Sequence, residues 1–114
     1  MDQGQAIAAL GALAHETRLE IVRYLVRQGT EGASAGEIAT AVNASSSRAS
    51  FHLSNLEKAG LVQARRASRS ILYRARFEQL GAVIGYLLED CCGGADEVRR
   101  CCWAFGAPSR GVPP

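Results

Sequence analysis

The stretch from Ser34 to Gly60, SAGEIATAVNASSSRASFHLSNLEKAG, leaves this chain few folds to choose from. It reads as two helices joined by a tight polar turn. The first is short, with Ile38, Ala39 and Val42 at helical spacing, and the turn passes through Asn43 and Ala44. Ser45 opens the second helix as its N-cap, because a serine oxygen accepts from the unpaired N–H groups of a first turn. Ala49, Leu53 and Leu56 then form the i, i+4, i+7 stripe that packs inward. Ser46, Ser47, Arg48, Ser50, Phe51 and Asn55 are left pointing elsewhere. Gly60 follows the last turn, where a left-handed residue is commonest. A short helix, a tight turn and a second helix with a polar, cationic opening make a helix-turn-helix, whose second helix enters the DNA major groove.

The rest of the chain fits around that unit. Residues 3–13 suggest a first helix, with Ile7, Leu10, Leu13 and several alanines forming an apolar face that either covers the core or pairs with another subunit. His15-Glu16-Thr17-Arg18 begins a second helix running to about Gln28, with Leu19, Val22, Leu25 and Val26 as its buried stripe and Gly29 as its stop. Residues 29–33 read as a loop. After Gly60 the period changes: residues 61–65 and 70–75 read as strands of a β-hairpin, joined by the polar connection 66–69. A helix-turn-helix followed by a basic hairpin is the winged arrangement, and the wing's arginines reach phosphates or the minor groove. Phe77 to about Asp90 is a last helix, with Phe77, Leu80, Ile84, Leu87 and Leu88 on one side. Gly81 and Gly85 sit four apart, at about 1 kcal/mol of helix propensity each, which favours close packing of something, a partner subunit being the natural candidate. The expected fold is mainly α with a small β-hairpin, in the order α-α-α-α-β-β-α.

At 114 residues this is one domain, short for an enzyme with its own cofactor cleft. No catalytic set stands out: there is no Ser/His/Asp pattern, phosphate loop or pair of carboxylates in a cleft. The opening MDQGQAIAALGALAHE is acidic at its start with no long apolar run, so no signal peptide is expected. No apolar stretch approaches the roughly 20 residues of a membrane span. A cytoplasmic protein with no membrane partner is the expectation. The formal net charge of +2 hides an asymmetry, since residues 1–76 carry ten Lys/Arg against six Asp/Glu and residues 77–114 three against five. Arg65, Arg66, Arg69, Arg74 and Arg76 lie together with no acid among them, a local anion-binding patch beside the reading helix.

The run Ser50-Phe51-His52-Leu53-x-x-Leu56-x-x-Ala59-Gly60-Leu61-Val62 resembles the S-x-H-L-x-x-L-x-x-A-G-L-V signature of the ArsR/SmtB winged-helix metalloregulators. His15-Glu16-Thr17-Arg18-Leu19-Glu20-Ile21 resembles the opening of that family's second helix. The order of elements agrees over about residues 5–90. The resemblance implies a homodimeric repressor whose first and last helices form the dimer interface, bound to operator DNA until an inducer, often a metal or metalloid, lowers that affinity. Two of the family's sensor sites do not carry over. The helix before the reading helix, Glu37-Ile38-Ala39-Thr40-Ala41-Val42, holds no cysteine, and the last helix holds no histidine. What remains resembles the arsenic repressors with vicinal cysteines just after the last helix.

All four cysteines, Cys91, Cys92, Cys101 and Cys102, fall within twelve residues and none elsewhere. Structural disulfides are not expected in a reducing compartment. Gly93 and Gly94 let the chain reverse, so the second pair can return toward the first, and converging thiolates select soft ions. Zn²⁺ would use all four sulfurs, although zinc sites normally space paired cysteines by two to four residues. Trivalent arsenic or antimony needs three. By resemblance the expected inducer is As(III) on Cys91, Cys92 and one of Cys101 or Cys102, with Sb(III) or a trivalent organoarsenical as variants; a methylated arsenical needs only the vicinal pair. Arg99 and Arg100 would lower nearby thiol pKa values if close. Trp103 either shields a bound metalloid or anchors packing.

The expected organisation is a DNA-binding and dimerisation domain over residues 1–90 and a cysteine-rich inducer-binding segment with a flexible tail over 91–114. The expected contacts to operator DNA are Ser45, Ser46, Ser47, Arg48, Ser50, Phe51, His52 and Asn55 from the reading helix, with Arg65, Arg66 and Arg69 from the wing. His52 either contacts DNA or packs, His15 caps a helix or lies on the surface, and Tyr73 faces DNA or the core. Two other functions compete with arsenic-released repression. One is a repressor that senses oxidation of the same cysteines. The other is a metalloid-binding thiol protein in which the basic hairpin is incidental.

Overall fold

The computed structural model describes residues 1–91. Helix α1 (Gln3–Leu13) starts at a capping box in which Asp2 accepts from Gln5 N–H and Gln5 accepts from Asp2 N–H, both at 2.8 Å. Its apolar face divides. Ala6 and Ala9 are buried, Leu13 packs against the core, and Ile7 stands 60% exposed with Leu10 also outward. Helix α2 (Glu16–Gln28) is capped by His15, whose Nδ1 accepts from Thr17 N–H at 3.1 Å, and Gly29 closes it at φ 69°. Its buried stripe is Ile21, Val22 and Leu25 rather than the expected set. Leu19 and Val26, seven residues apart on the helix edge, are both exposed.

The segment read as a loop ends in a strand. Strand β1 (Ala33–Ser34) pairs Ala33 with Tyr73 and Ser34 with Leu72, so the hairpin is part of a three-stranded antiparallel sheet. The close approach requires glycine at the preceding position. Gly32 sits at φ 74°, and a Cβ there would lie 2.2 Å from the Tyr73 carbonyl oxygen. Ser34 then caps α3 (Ala35–Ala41), accepting from Glu37 N–H at 3.2 Å while Glu37 accepts from Ser34 N–H at 2.8 Å.

The turn into α4 (Ser46–Lys58) passes through Asn43 at φ 54°, and Ser45 caps the helix by accepting from Arg48 N–H at 3.2 Å. At the other end Gly60 takes φ 80°, with its N–H on Glu57 O and Leu61 N–H on Leu56 O, both 3.0 Å. This is the paired-bond helix ending that a left-handed glycine makes possible. Strand β2 (Val62–Ala67) and strand β3 (Ser70–Ala75) run antiparallel from Val62 opposite Ala75 to Ala67 opposite Ser70. The connection is therefore two residues, Ser68 and Arg69, and Arg66 belongs to a strand. Ser68 adopts φ 59°.

Helix α5 (Phe77–Gly85) continues into a π-helical turn over Tyr86–Cys91. Its expected single apolar side also divides. Val83 is buried and Leu80 packs on the core, whereas Phe77, Ile84 and Leu87 are exposed. The core between the helices and the sheet holds Ile21, Leu25, Ile38, Leu53, Leu56, Leu61 and Val62, all essentially fully buried. Each contributes about 1.5–3 kcal/mol of transfer free energy. Among the described residues no helix is long and apolar enough to cross a membrane.

Candidate nucleic-acid interface

Helix α4 has a sharp inside and outside. Ala49, His52, Leu53 and Leu56 are buried. Directly opposite run Ser47, Phe51, Ser54 and Lys58, with Ser46, Ser50 and Arg48 beside them, all exposed. Phe51 is 63% exposed in the middle of this hydroxyl-rich face. Asn55 is half-buried, its Nδ2 donating to Phe51 O at 3.2 Å, which commits one of its two amide hydrogens to the helix itself. The N-terminal turn adds free backbone N–H groups and a positive dipole end to the Ser46 and Ser47 hydroxyls, a combination that suits phosphate oxygens.

The wing carries its charge toward its tip. Arg65 lies opposite Leu72 and Arg66 opposite Ile71, on the two faces of the ribbon, and Arg69 sits in the turn. All three are exposed, and none makes an ion pair among the described residues. The two arginines nearer the sheet's base have partners. Arg74 donates to Gln63 Oε1 at 3.1 Å, and Arg76 faces Glu78 at 3.7 Å. Tyr73 is turned toward the core, against which it packs.

His52 departs from the expected set of groove contacts. It is 4% exposed, on the same stripe as Ala49, Leu53 and Leu56, because position 52 is three after 49 and four before 56. Its ring centroid lies 4.5 Å from that of His15 and 5.4 Å from that of Phe51, and its Nδ1 accepts from Arg18 Nη1 at 3.4 Å. Burial first, then the neighbouring His15, Arg18 and Arg48, push its pKa below the usual histidine range. It is a neutral, packed residue behind the reading face. His15 serves as a helix cap, one of its two expected roles. The outward residues missing from the expected set are Ser54 and Lys58, seven and eleven after Ser47, and that spacing was the signal for them.

Of the cysteines, Cys92, Cys101 and Cys102 lie outside the described residues, and Cys91 ends the π-helical turn. Among the described residues no group of three or more His, Cys, Asp or Glu side chains is placed to hold a metal ion.

Three helices against a small sheet, a capped second helix of the helix-turn-helix with its outer face bare, and a cationic hairpin beside it define a winged helix-turn-helix DNA-binding domain. Comparison with known proteins agrees. The family model for a helix-turn-helix domain matches residues 13–63. The chain is similar to an ArsR-like transcriptional regulator from Rhodococcus sp. RHA1, at 28% identity and TM-score 0.70 over 90% of this chain and 93% of that one. It is also similar to the homodimeric winged helix-turn-helix DNA-binding domain of Mb0332 from Mycobacterium bovis, described as a possible ArsR-family regulator, at 30% identity and TM-score 0.61 over 82% and 86% of the two chains. A third similar structure is a possible transcriptional regulator for arsenical resistance, at 28% identity and TM-score 0.62 over 82% and 91%. No curated protein sequence matches the chain. The protein belongs to the ArsR/SmtB family of winged-helix transcriptional regulators, and is a DNA-binding regulator rather than an enzyme.

Proposed function

We propose that this regulator is a cytoplasmic, homodimeric repressor released from its operator by trivalent arsenic. One observation carries the choice of inducer: every cysteine of the chain lies within residues 91–102, immediately after a DNA-binding domain that has none. In the proposed arrangement Ser45, Ser46, Ser47, Arg48, Ser50 and Phe51, with Asn55 at the margin, meet the major groove. Arg65, Arg66 and Arg69 meet phosphates. The dimer forms through α1 and α5, whose Ile7, Leu10, Ile84 and Leu87 stay exposed among the described residues. A Cβ at Gly81 or Gly85 would meet nothing within 4 Å, which leaves room for a partner helix to approach closely. Two such heads reach successive major grooves about 34–36 Å apart.

The donor set of the C-terminal segment, residues 91–114, fits a soft thiophilic ion. Cys91, Cys92 and one of Cys101 or Cys102 would hold As(III) or Sb(III), and the vicinal pair alone a methylated arsenical. The similar regulator for arsenical resistance supports this reading. The affinity change required is of the order of 1–3 kcal/mol, the usual range of coupling between sites.

The test is a gel-shift titration on an operator-bearing duplex. Stoichiometric arsenite under reducing conditions should release wild-type protein. Cys91→Ser and Cys92→Ser should still bind the duplex and no longer let go. Release by peroxide alone would assign the signal to thiol oxidation instead, and absence of DNA binding would sink every repressor reading.

A further inference from the structure

The reading face leaves one cluster unused, at the back of α4 where three helices meet. Arg18 extends from α2. Its Nε donates to Ala12 O at 2.7 Å, one of the carbonyls at the end of α1 that no helical N–H reaches. Its Nη1 donates to Nδ1 of His52, thirty-four residues away in sequence, at 3.4 Å. Arginine has no acceptor capacity, so His52 must accept at Nδ1 and carry its ring proton on Nε2. His15, the cap of α2, lies against the same ring. His52 is the one buried polar or charged side chain among the described residues, a placement that is costly unless hydrogen-bonded.

The space beside this cluster is open. A cleft of about 340 Å³ separates Ala8, Gly11 and Ala12 of α1 from Asn55, Lys58 and Ala59 of the α4 end, and Arg18 forms part of its wall. A Cβ at Gly11 would meet nothing within 4 Å. On this side α1 and α4 are therefore not locked by interdigitated side chains. Arg18 spans the gap.

We propose that Arg18 and His52 are a positioning pair, which fixes the angle of the reading helix against the end of α1 and passes displacements of α1 to it. The proposal rests on α4 being the DNA-reading helix, and it gives the proposed regulation a physical route, because α1 also packs against α5. Protonated His52 cannot accept from Arg18. It would also add a charge among His15 and Arg18 on α2 and Arg48 on its own helix, all basic, while α1 offers only small side chains and a carbonyl. The folded protein therefore binds this proton less readily than an unfolded chain does. The pair's contribution is complete above the ordinary histidine pKa and is lost as pH falls through the lower folded value.

The experiment uses two probes, a duplex selected by the wild-type protein from a random-sequence pool and an unselected random duplex. Arg18→Ala should bind the selected duplex about tenfold more weakly or worse, the size of one lost charge-assisted hydrogen bond, with the random duplex changed by less than about twofold. Arg18→Lys keeps the charge but cannot span both acceptors, so it should shift in the same direction even if Arg18→Ala fails to fold. Between about pH 7.5 and about pH 5, wild-type preference for the selected duplex should fall. That of His52→Asn, which keeps an acceptor near Nδ1 and does not titrate, should stay flat. Equal loss on both duplexes, unchanged binding, or parallel pH profiles would overturn the pair. A wild-type protein that selects no sequence would instead refute the DNA-reading role of α4.

Discussion

Two outward surfaces of this protein face water with opposite chemistry. The outside of α4 shows Ser46, Ser47, Ser50, Ser54, Arg48 and Lys58 around a single aromatic, Phe51. The outside of α1 and α5 shows Ile7, Leu10, Ile84 and Leu87, with glycines between them and no charge of its own in that set. Hydroxyls and cations are cheap to leave wet and pair well with a polyanion. Exposed aliphatics on two neighbouring helices gain free energy when a partner covers them. In the proposed function one surface reads DNA and the other assembles the dimer, and each can be struck without touching the other.

The largest effect should come from the aliphatic side. Ile84→Asp should give a monomer by sedimentation and weaken operator binding about a hundredfold or more, since two linked heads gain that much over one. A dimer that survives this change would locate assembly elsewhere. Next comes a contrast across α4 itself. Leu53→Ala should lower unfolding free energy by about 2–5 kcal/mol in a urea titration. Phe51→Ala should change it by about 0.5 kcal/mol or less, as a surface substitution does. Its loss should appear in DNA affinity, by about tenfold, through lost apolar contact with base edges. Arg66→Ala should weaken specific and non-specific duplexes alike, and reduce the slope of log affinity against log salt by about 1 per phosphate contact removed. The smallest effect is local: Ser68→Gly relieves a left-handed serine at the wing's turn and should raise stability by about half a kcal/mol, with binding unchanged.

What was legible in the sequence was whatever local chemistry enforces. Ser45 and Gly60 bracket α4 because an exposed helix end needs an acceptor at one side and a left-handed residue at the other. Spacing gave Ala49, Leu53 and Leu56 of the inward stripe of α4 and missed His52, a polar side chain whose type pointed outward although its position did not. The sheet's third strand did not follow from spacing, since two residues have no period, and its only trace was a glycine at position 32. The apolar residues of α1, α2 and α5 each form a single surface in the sequence pattern. Each proved wide enough to divide, and a hydrophobic residue at a helix edge does not say which neighbour claims it. Arg18 and His52 were invisible as a pair because nothing local joins them. The motif residues around position 18 promised a helix start, while the contact itself is made across the fold.

Ser34 belongs both to the sheet and to the cap of α3, so the wing and the helix-turn-helix share one pin. Swinging the wing relative to the reading helix would break the rung at Ala33 and Tyr73 or uncap α3. The gape between wing and helix-turn-helix is thus tied to a single shared residue. Opening that gape costs a sheet rung or a helix cap, so tilting wing and reading helix together, like a jaw hinged as one piece, is the cheaper motion.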